Sequence, residues 1–162
     1  MRQKIASRLY CLDSSALLNS WTRYYRMSSF GLIWSRIAGE IEKGTLISVE
    51  PVLEELRCTS AELAGWLEQR SGLFLPMTPE LQLRQRAIVN TYRNIVDLRK
   101  HWASCDAWVI AAAQLHRCPV VTEETPLQVW VQPRIPDVCR DAGVPWMRMA
   151  DLIDALGLNQ TG

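Results

Sequence analysis

Several things are scarce in this sequence, and each scarcity excludes something. No apolar run reaches spanning length, so no membrane helix is expected. The N-terminal stretch MRQKIASRLYCLDSS carries basic residues but no apolar block of the kind a secretory signal needs. There is no internal repeat and no low-complexity linker. The five cysteines (Cys11, Cys58, Cys105, Cys118, Cys139) form no CxxC pair and are odd in number. They read as reduced, mostly buried thiols of a cytoplasmic protein rather than as a disulfide frame or a zinc site. Charge of one sign is also lacking: the net charge is +1, which argues against a surface coated in basic charge for nonspecific nucleic-acid binding and leaves room for a local basic groove. Phenylalanine occurs twice against seven tryptophans, which points to tryptophan as the packing aromatic. The two histidines, His101 and His116, are not placed like catalytic partners and read as structural.

What remains is an ordinary globular composition. The chain has 162 residues with 48% apolar and 22% charged content, enough for a full hydrophobic core in one domain spanning 1–162, with ordered structure over about 7–157. The tail Leu158–Gly162 reads as frayed. Strands are expected at Leu9–Leu12, Leu46–Val49, Pro119–Thr122 and Val144–Met149, and a short strand or an extended segment at Leu73–Met77. Helices are expected at Phe30–Lys43, Pro51–Leu56, Ala61–Arg70, Pro79 to about Asp97, Cys105–His116, Pro136–Ala142 and Asp151–Leu156. Thr59 with Glu62 suits a capping box, Thr78 a cap before Pro79, and Ser104 a cap before Cys105. Strands alternating with helices imply an α/β fold with a central parallel sheet joined by crossovers.

Ligands in such sheets bind beyond the carboxyl ends of the strands, and acids gather there in this sequence. Asp13 follows the first strand. Glu55 lies about one helical turn beyond Val49. Glu123 and Glu124 follow Val121-Thr122. Asp106 opens the helix that leads into that strand. Singly, each has a bland explanation: Asp13 as a helix cap, Asp106 as a complement to a helix dipole, Glu55 and the glutamate pair as solvated surface. Jointly, four carboxylates at one sheet edge repel one another unless a cation compensates, and oxygen ligands suit Mg²⁺ or Mn²⁺. Zinc is set aside, because no His or Cys shows zinc-like spacing.

The segments LDSSALL (12–18), SVEPVLEEL (48–56), CDAWVIAAA (105–113) and VVTEE (120–124) together resemble the PIN-domain nucleases, in particular their VapC-like toxin branch. IPDVCRDAGV (135–144) resembles a longer, less characterised PIN-like subgroup, and the resemblance runs from Leu9 to about Ile153. It implies a three-layer α/β/α fold and an acidic pocket holding Mg²⁺ or Mn²⁺. It further implies endoribonuclease activity on an RNA substrate, a cognate antitoxin and a homodimer. Position by position it assigns Asp13, Glu55, Asp106 and Glu124 as catalytic and metal-binding acids. Ser15 and Thr122 match the supporting hydroxyls. Glu124 stands where many relatives carry Asp, and Glu54 and Glu123 are neighbours able to exchange roles with Glu55 and Glu124.

The expected chemistry is in-line hydrolysis of an RNA phosphodiester. Arg84, Arg86, Arg93, Arg99, Lys100, Arg23 and Arg26 are the candidate phosphate contacts, and Trp21, Tyr24 and Tyr25 the candidate stacking aromatics, each weighed against a solvated face or core packing. A haloacid-dehalogenase-like phosphatase would want a second Asp at the place Ser15 holds, and a receiver-domain acidic pair is not evident. The rival of a different class is a catalytically inactive PIN-like binding or scaffold module.

Overall fold

The structure, a computed structural model, describes residues 8–95, 104–127 and 132–160. Arg99, Lys100 and His101 lie outside the described residues, as does Asp97, the expected end of the long helix.

Five short strands make one parallel sheet: β1 (Tyr10–Leu12), β2 (Leu46–Val49), β3 (Phe74–Leu75), β4 (Val120–Val121) and β5 (Trp146–Met147). Their order across the sheet is β3-β2-β1-β4-β5. Cys11 pairs with Ile47 on one side and Val120 on the other, so β1 is central. All residues of β1, β2 and β4 are buried, as expected for strands covered on both faces and therefore apolar nearly throughout rather than alternating; the exception, Ser48 of β2, donates its hydroxyl to the Leu12 carbonyl at 2.7 Å. The chain builds outward from β1 through β2 to β3, then returns to the other side of β1 with β4 and β5. Direction therefore reverses between β1 and β4, and crevices in such sheets open where it does.

The crossovers are helical. From β1 to β2 run α1 (Ser14–Asn19), a π-helical turn (Ser20–Tyr24) and α2 (Met27–Glu42). From β2 to β3 run α3 (Glu50–Thr59) and α4 (Ala61–Glu68). From β3 to β4 run α5 (Pro79–Thr91), a 3₁₀ turn (Arg93–Ile95) and α6 (Asp106–His116). Then α7 (Ile135–Ala142) leads to β5, and α8 (Met149–Ala155) follows it. The α/β class with a parallel central sheet is thus as expected, and the eight α-helices among the described residues flank it in a manner consistent with three layers. No described helix is long and apolar enough to cross a membrane.

Tryptophan does the packing where phenylalanine is missing. Trp34 meets Trp21 and Trp66 edge to face, at centroid separations of 4.8 and 5.3 Å, and Trp21 and Trp66 lie tilted to each other at 5.8 Å, so the three join the π-helical turn, α2 and α4. Trp34 is fully buried and its indole N–H donates to the Tyr25 carbonyl. In α2, Ile33, Ile37 and Ile41 face the core as their spacing predicts. That helix starts earlier than expected, at Met27, with non-helical angles at Phe30, where the sequence pattern placed its beginning. The α6 helix differs in degree. Val109, Ile110 and Ala113 are buried as expected, but so are Ala107, Ala111 and Ala112, because α6 lies between β1, β2 and α5. Its alanines allow that close approach.

Three end-of-element expectations change. Helix α3 continues through Thr59, and Ser60 is the cap of α4, its Oγ accepting the Leu63 N–H at 3.3 Å. The Thr59 hydroxyl instead donates back to the Glu55 carbonyl at 3.1 Å. Ser104 caps nothing; α6 begins at Asp106 after Cys105, which makes no side-chain cap bond. The tail is not frayed at its start, because Leu158 is buried and its carbonyl accepts from Arg36 Nη1 at 2.8 Å. Thr78 does cap α5, and Gly143 closes α7 at φ 70°, a conformation glycine reaches without a Cβ penalty.

The cap reassignment is testable. Ser60→Ala should lower unfolding free energy by about 1 kcal/mol, whereas Thr59→Ala should change it by less than about 0.5 kcal/mol. Urea denaturation of the two variants measures both.

Candidate functional site

The carboxyl end of β1 delivers Asp13 directly into the crevice between β1 and β4. Its N–H donates to the Val121 carbonyl at 2.9 Å, which fixes it beside the end of β4. Asp13 also caps α1, its Oδ2 accepting the Ser15 N–H at 3.3 Å. The capping reading and the site reading are therefore both true of this residue. The same Oδ2 accepts the Ser15 hydroxyl at 2.6 Å and the Thr122 hydroxyl at 3.0 Å. Those hydroxyls are themselves polarised: the Glu123 N–H donates to Ser15 Oγ at 3.0 Å and the Glu124 N–H to Thr122 Oγ1 at 3.1 Å. Two backbone amides thus feed two hydroxyls, which feed one carboxylate oxygen, an arrangement in which each bond strengthens the next. Ser15 and Thr122 occupy the supporting positions assigned to them.

The other oxygen of Asp13 looks toward different partners. Ser14 Oγ lies 3.5 Å and Cys105 Sγ 3.7 Å from Oδ1. Glu55, one helical turn into α3, reaches the same spot. Its Oε1 accepts the Ser14 hydroxyl at 3.0 Å and its Oε2 lies 3.2 Å from Cys105 Sγ. Asp106, at the first position of α6, places Oδ1 3.9 Å from the same sulfur. Asp13, Cys105 and Asp106 each offer a ligand atom within 4.8 Å of the other two. Glu54, by contrast, is exposed on the far side of α3.

The fourth acid is used differently. Glu124 Oε2 accepts the Ile135 N–H at 2.9 Å, at the start of α7. Glu123 Oε1 accepts the Met149 N–H at 2.9 Å, at the start of α8. The glutamate pair after β4 therefore ties down the two C-terminal helices, each carboxylate taking an amide that no intrahelical carbonyl can reach. Of the four acids grouped from the sequence, the structure gathers Asp13, Glu55 and Asp106 around one thiol, and fastens Glu124 to α7.

Burial dominates the electrostatics. Asp13 is 1% exposed, and desolvation raises its pKa above the usual carboxylate range. The Ser15 and Thr122 hydrogen bonds oppose that shift, and the Glu55 charge adds to it. Cys105, fully buried, is pushed well up by desolvation and then by the charges of Asp13, Asp106 and Glu55, so it sits as a thiol among carboxylates. The donor set fits a divalent cation: carboxylates from separate elements converge there, and a positive charge relieves both the burial cost and the mutual repulsion. The sulfur of Cys105, a residue outside any zinc-like spacing in the sequence, broadens the range of ions the set suits toward softer ones.

A protein-family model described as "Domain of unknown function (DUF4411)" matches residues 10–160. The chain belongs to the DUF4411 family. The match takes in every strand of the sheet and all of Asp13, Ser14, Glu55, Cys105 and Asp106. No curated protein matches the sequence. The DUF4411 description carries no activity.

Two contributors to this DUF4411 site escaped the sequence reading. Ser14 stood inside Asp-Ser-Ser, where its neighbour Ser15 drew the attention. Cys105 directly precedes Asp106 at a helix N-cap, a position that favours Ser, Thr, Asp or Asn; a cysteine there was the available signal of another role. Among the proposed RNA contacts, Trp21 belongs to the tryptophan core, and its N–H lies 3.5 Å from Glu62. Arg23, Arg26, Arg84, Arg86, Arg93 and Tyr24 are exposed and Tyr25 is half-buried.

Because folded Asp13 holds its proton more tightly than the unfolded chain does, the native state binds more protons in the window above about pH 4. Stability should therefore decline as pH rises through that window, and Asp13→Asn should remove this component and be at least as stable as the wild type at pH 7. Thr122→Val, which strips a donor from a buried carboxylate, should cost about 1–3 kcal/mol. Urea unfolding between pH 4 and 7 checks all three; an Asn variant much weaker than wild type at neutral pH would contradict the burial argument.

Proposed function

We propose that this chain is a metal-dependent endoribonuclease whose Mg²⁺ or Mn²⁺ is held by Asp13 and Asp106, with Cys105 in the same group and Glu55 beside it. The observation that carries the reading is the convergence of three carboxylates, from the end of β1, from α3 and from the start of α6, on one buried spot at the carboxyl edge of the sheet. Held by these carboxylates, a divalent ion would supply acidification of a water and neutralisation of charge on the phosphoryl oxygens. The protein's own contribution is orientation. Ser15 and Thr122 hold Asp13 by one oxygen and leave the other directed at the group. Ser14 steadies Glu55, which is thereby placed to accept a proton. In this reading Glu124 is a positioning residue, since it fixes the segment that carries Thr122.

RNA as the substrate, a cognate antitoxin and a homodimer come from the resemblance to VapC-like toxins, and that resemblance supports a toxin role. The rival reading, an inactive PIN-like binding module, is favoured by one feature: the Ser14 hydroxyl and the Cys105 thiol both donate into the acids, so the group is hydrogen-bonded without an ion.

Calorimetry with Mn²⁺ and cleavage of a mixed RNA pool with and without EDTA separate the two. Mn²⁺ at a hundred times its Kd should raise unfolding free energy by about 2.7 kcal/mol in the wild type, and by far less in Asp13→Asn or Asp106→Asn. RNA cleavage should stop in EDTA and fall by about a hundredfold or more in either variant. Binding of Mn²⁺ with no RNA cut would favour the binding module, and full activity in both variants would sink the metal reading. Cys105→Ser should shift relative activity away from Mn²⁺ toward Mg²⁺, read as the ratio of the two rates.

A further inference from the structure

Across the 122–124 segment from Asp13 lies an open cleft of about 600 Å³. Its walls are Arg23 and Tyr24 of the π-helical turn, Tyr25 just after it, Glu123 after β4, and Arg148 with Met149 at the start of α8. Glu123 is the wall shared with the acidic site. Its N–H donates to Ser15 Oγ, which in turn donates to Asp13, while its carboxylate takes the Met149 N–H. Cleft and carboxylates are thus one residue apart.

The lining has an uneven character. Tyr24 is 52% exposed, outside the hydrophobic core, and presents a large ring to solvent. Tyr25 is held edge-on to Phe30 at 5.7 Å between centroids. Arg148 is prearranged: Nη1 donates to the Glu124 carbonyl at 2.8 Å and its guanidinium lies 5.3 Å from the Trp146 ring centroid. Arg23 is exposed at the other side. An exposed aromatic beside two guanidiniums, in a cavity of small-ligand size, matches one unit of a nucleic-acid strand: a π-face for a base and cations for its phosphates. The Glu123 carboxylate repels phosphate from its own wall and leaves that wall to base or ribose donors.

We infer that this cleft is a subsite for one unpaired nucleotide, with its base on Tyr24 and its phosphate between Arg23 and Arg148, so that the RNA served by the neighbouring acids is single-stranded. The RNA part rests on the nuclease reading; the nucleotide site rests on the cleft. A base inside an A-form duplex is stacked on its neighbours and cannot lie on Tyr24, whereas a splayed one can.

The test is fluorescence anisotropy of a fluorescein-labelled single-stranded hexaribonucleotide with the full chain in EDTA, where no metal-dependent cleavage interferes. Tyr24→Ala should weaken binding about tenfold or more and Tyr24→Phe should restore it. The same sequence annealed to its complement should bind at least about tenfold more weakly than the single strand. Arg23→Ala should reduce the slope of log affinity against log salt by about one. Equal affinity for duplex and single strand, or no loss in Tyr24→Ala, would overturn the subsite even if the wild type cuts RNA. Tyr24-dependent binding with no cleavage in Mn²⁺ would uphold the subsite and defeat the nuclease. A cleft that ignores the hexamer yet is protected by an acidic peptide would be a protein-docking site, and the inference would fall.

Discussion

A carboxylate removed from water must be hydrogen-bonded, neutralised or left costly, and the arrangement around Asp13 follows from that constraint. One oxygen takes the hydroxyls of Ser15 and Thr122. Those hydroxyls take the amides of Glu123 and Glu124. With its amides committed, the segment after β4 has its direction fixed. Its glutamate side chains then reach the first turns of α7 and α8. The placement of two helices and of strand β5 between them is traceable, bond by bond, to the need to satisfy one buried acid at the centre of the sheet.

The remaining oxygen is where stability gives way to use. Hydroxyls satisfy Oδ2, whereas Oδ1 has, among the described residues, the more distant Ser14 and Cys105 side chains, with the Glu55 charge nearby. A fold selected for stability alone would have placed an amide or an apolar residue there. Retaining three acids around a thiol at a sheet switch point is the kind of destabilising arrangement that functional sites tolerate.

The sequence made the sheet legible because fully buried parallel strands are short, mostly apolar runs, as Tyr10–Leu12, Leu46–Val49 and Val120–Val121 are, Ser48 being the one polar residue among them. Asp13, Glu55 and Asp106 were legible because strand ends and helix starts share one edge. Glu54 and Glu55 stayed exchangeable in the sequence, because consecutive helix residues point about 100° apart and only the packing of α3 decides which of them meets Ser14 and Cys105. The glutamate pair was harder. Both side chains leave a loop, and which amide each one takes depends on where α7 and α8 come to rest, which is tertiary information. Cys105 was hidden for the opposite reason: local pattern marks it as one more apolar thiol, and only the convergence of three distant segments turns it toward carboxylates. The Ser60 cap was missed by a single residue because Thr59 and Ser60 have equivalent capping chemistry, and the extended backbone that distinguishes them is not written in either side chain. Trp21 carried two readings, and its contact with Trp34 and Trp66 makes it core.

The amides of Ile135 and Met149 bear on how this chain can be divided. Everything after residue 134 is attached to the rest by more than a peptide bond: β5 hydrogen-bonds to β4, and each of the last two helices begins on a carboxylate rooted beside Asp13. This C-terminal sixth is therefore not an appendage that could be exchanged or trimmed as a module. Removing it would strip β4 of its outer neighbour and withdraw from Glu123 and Glu124 the amides that hold them. The loosening would arrive first at Thr122, and through it at the centre of the sheet.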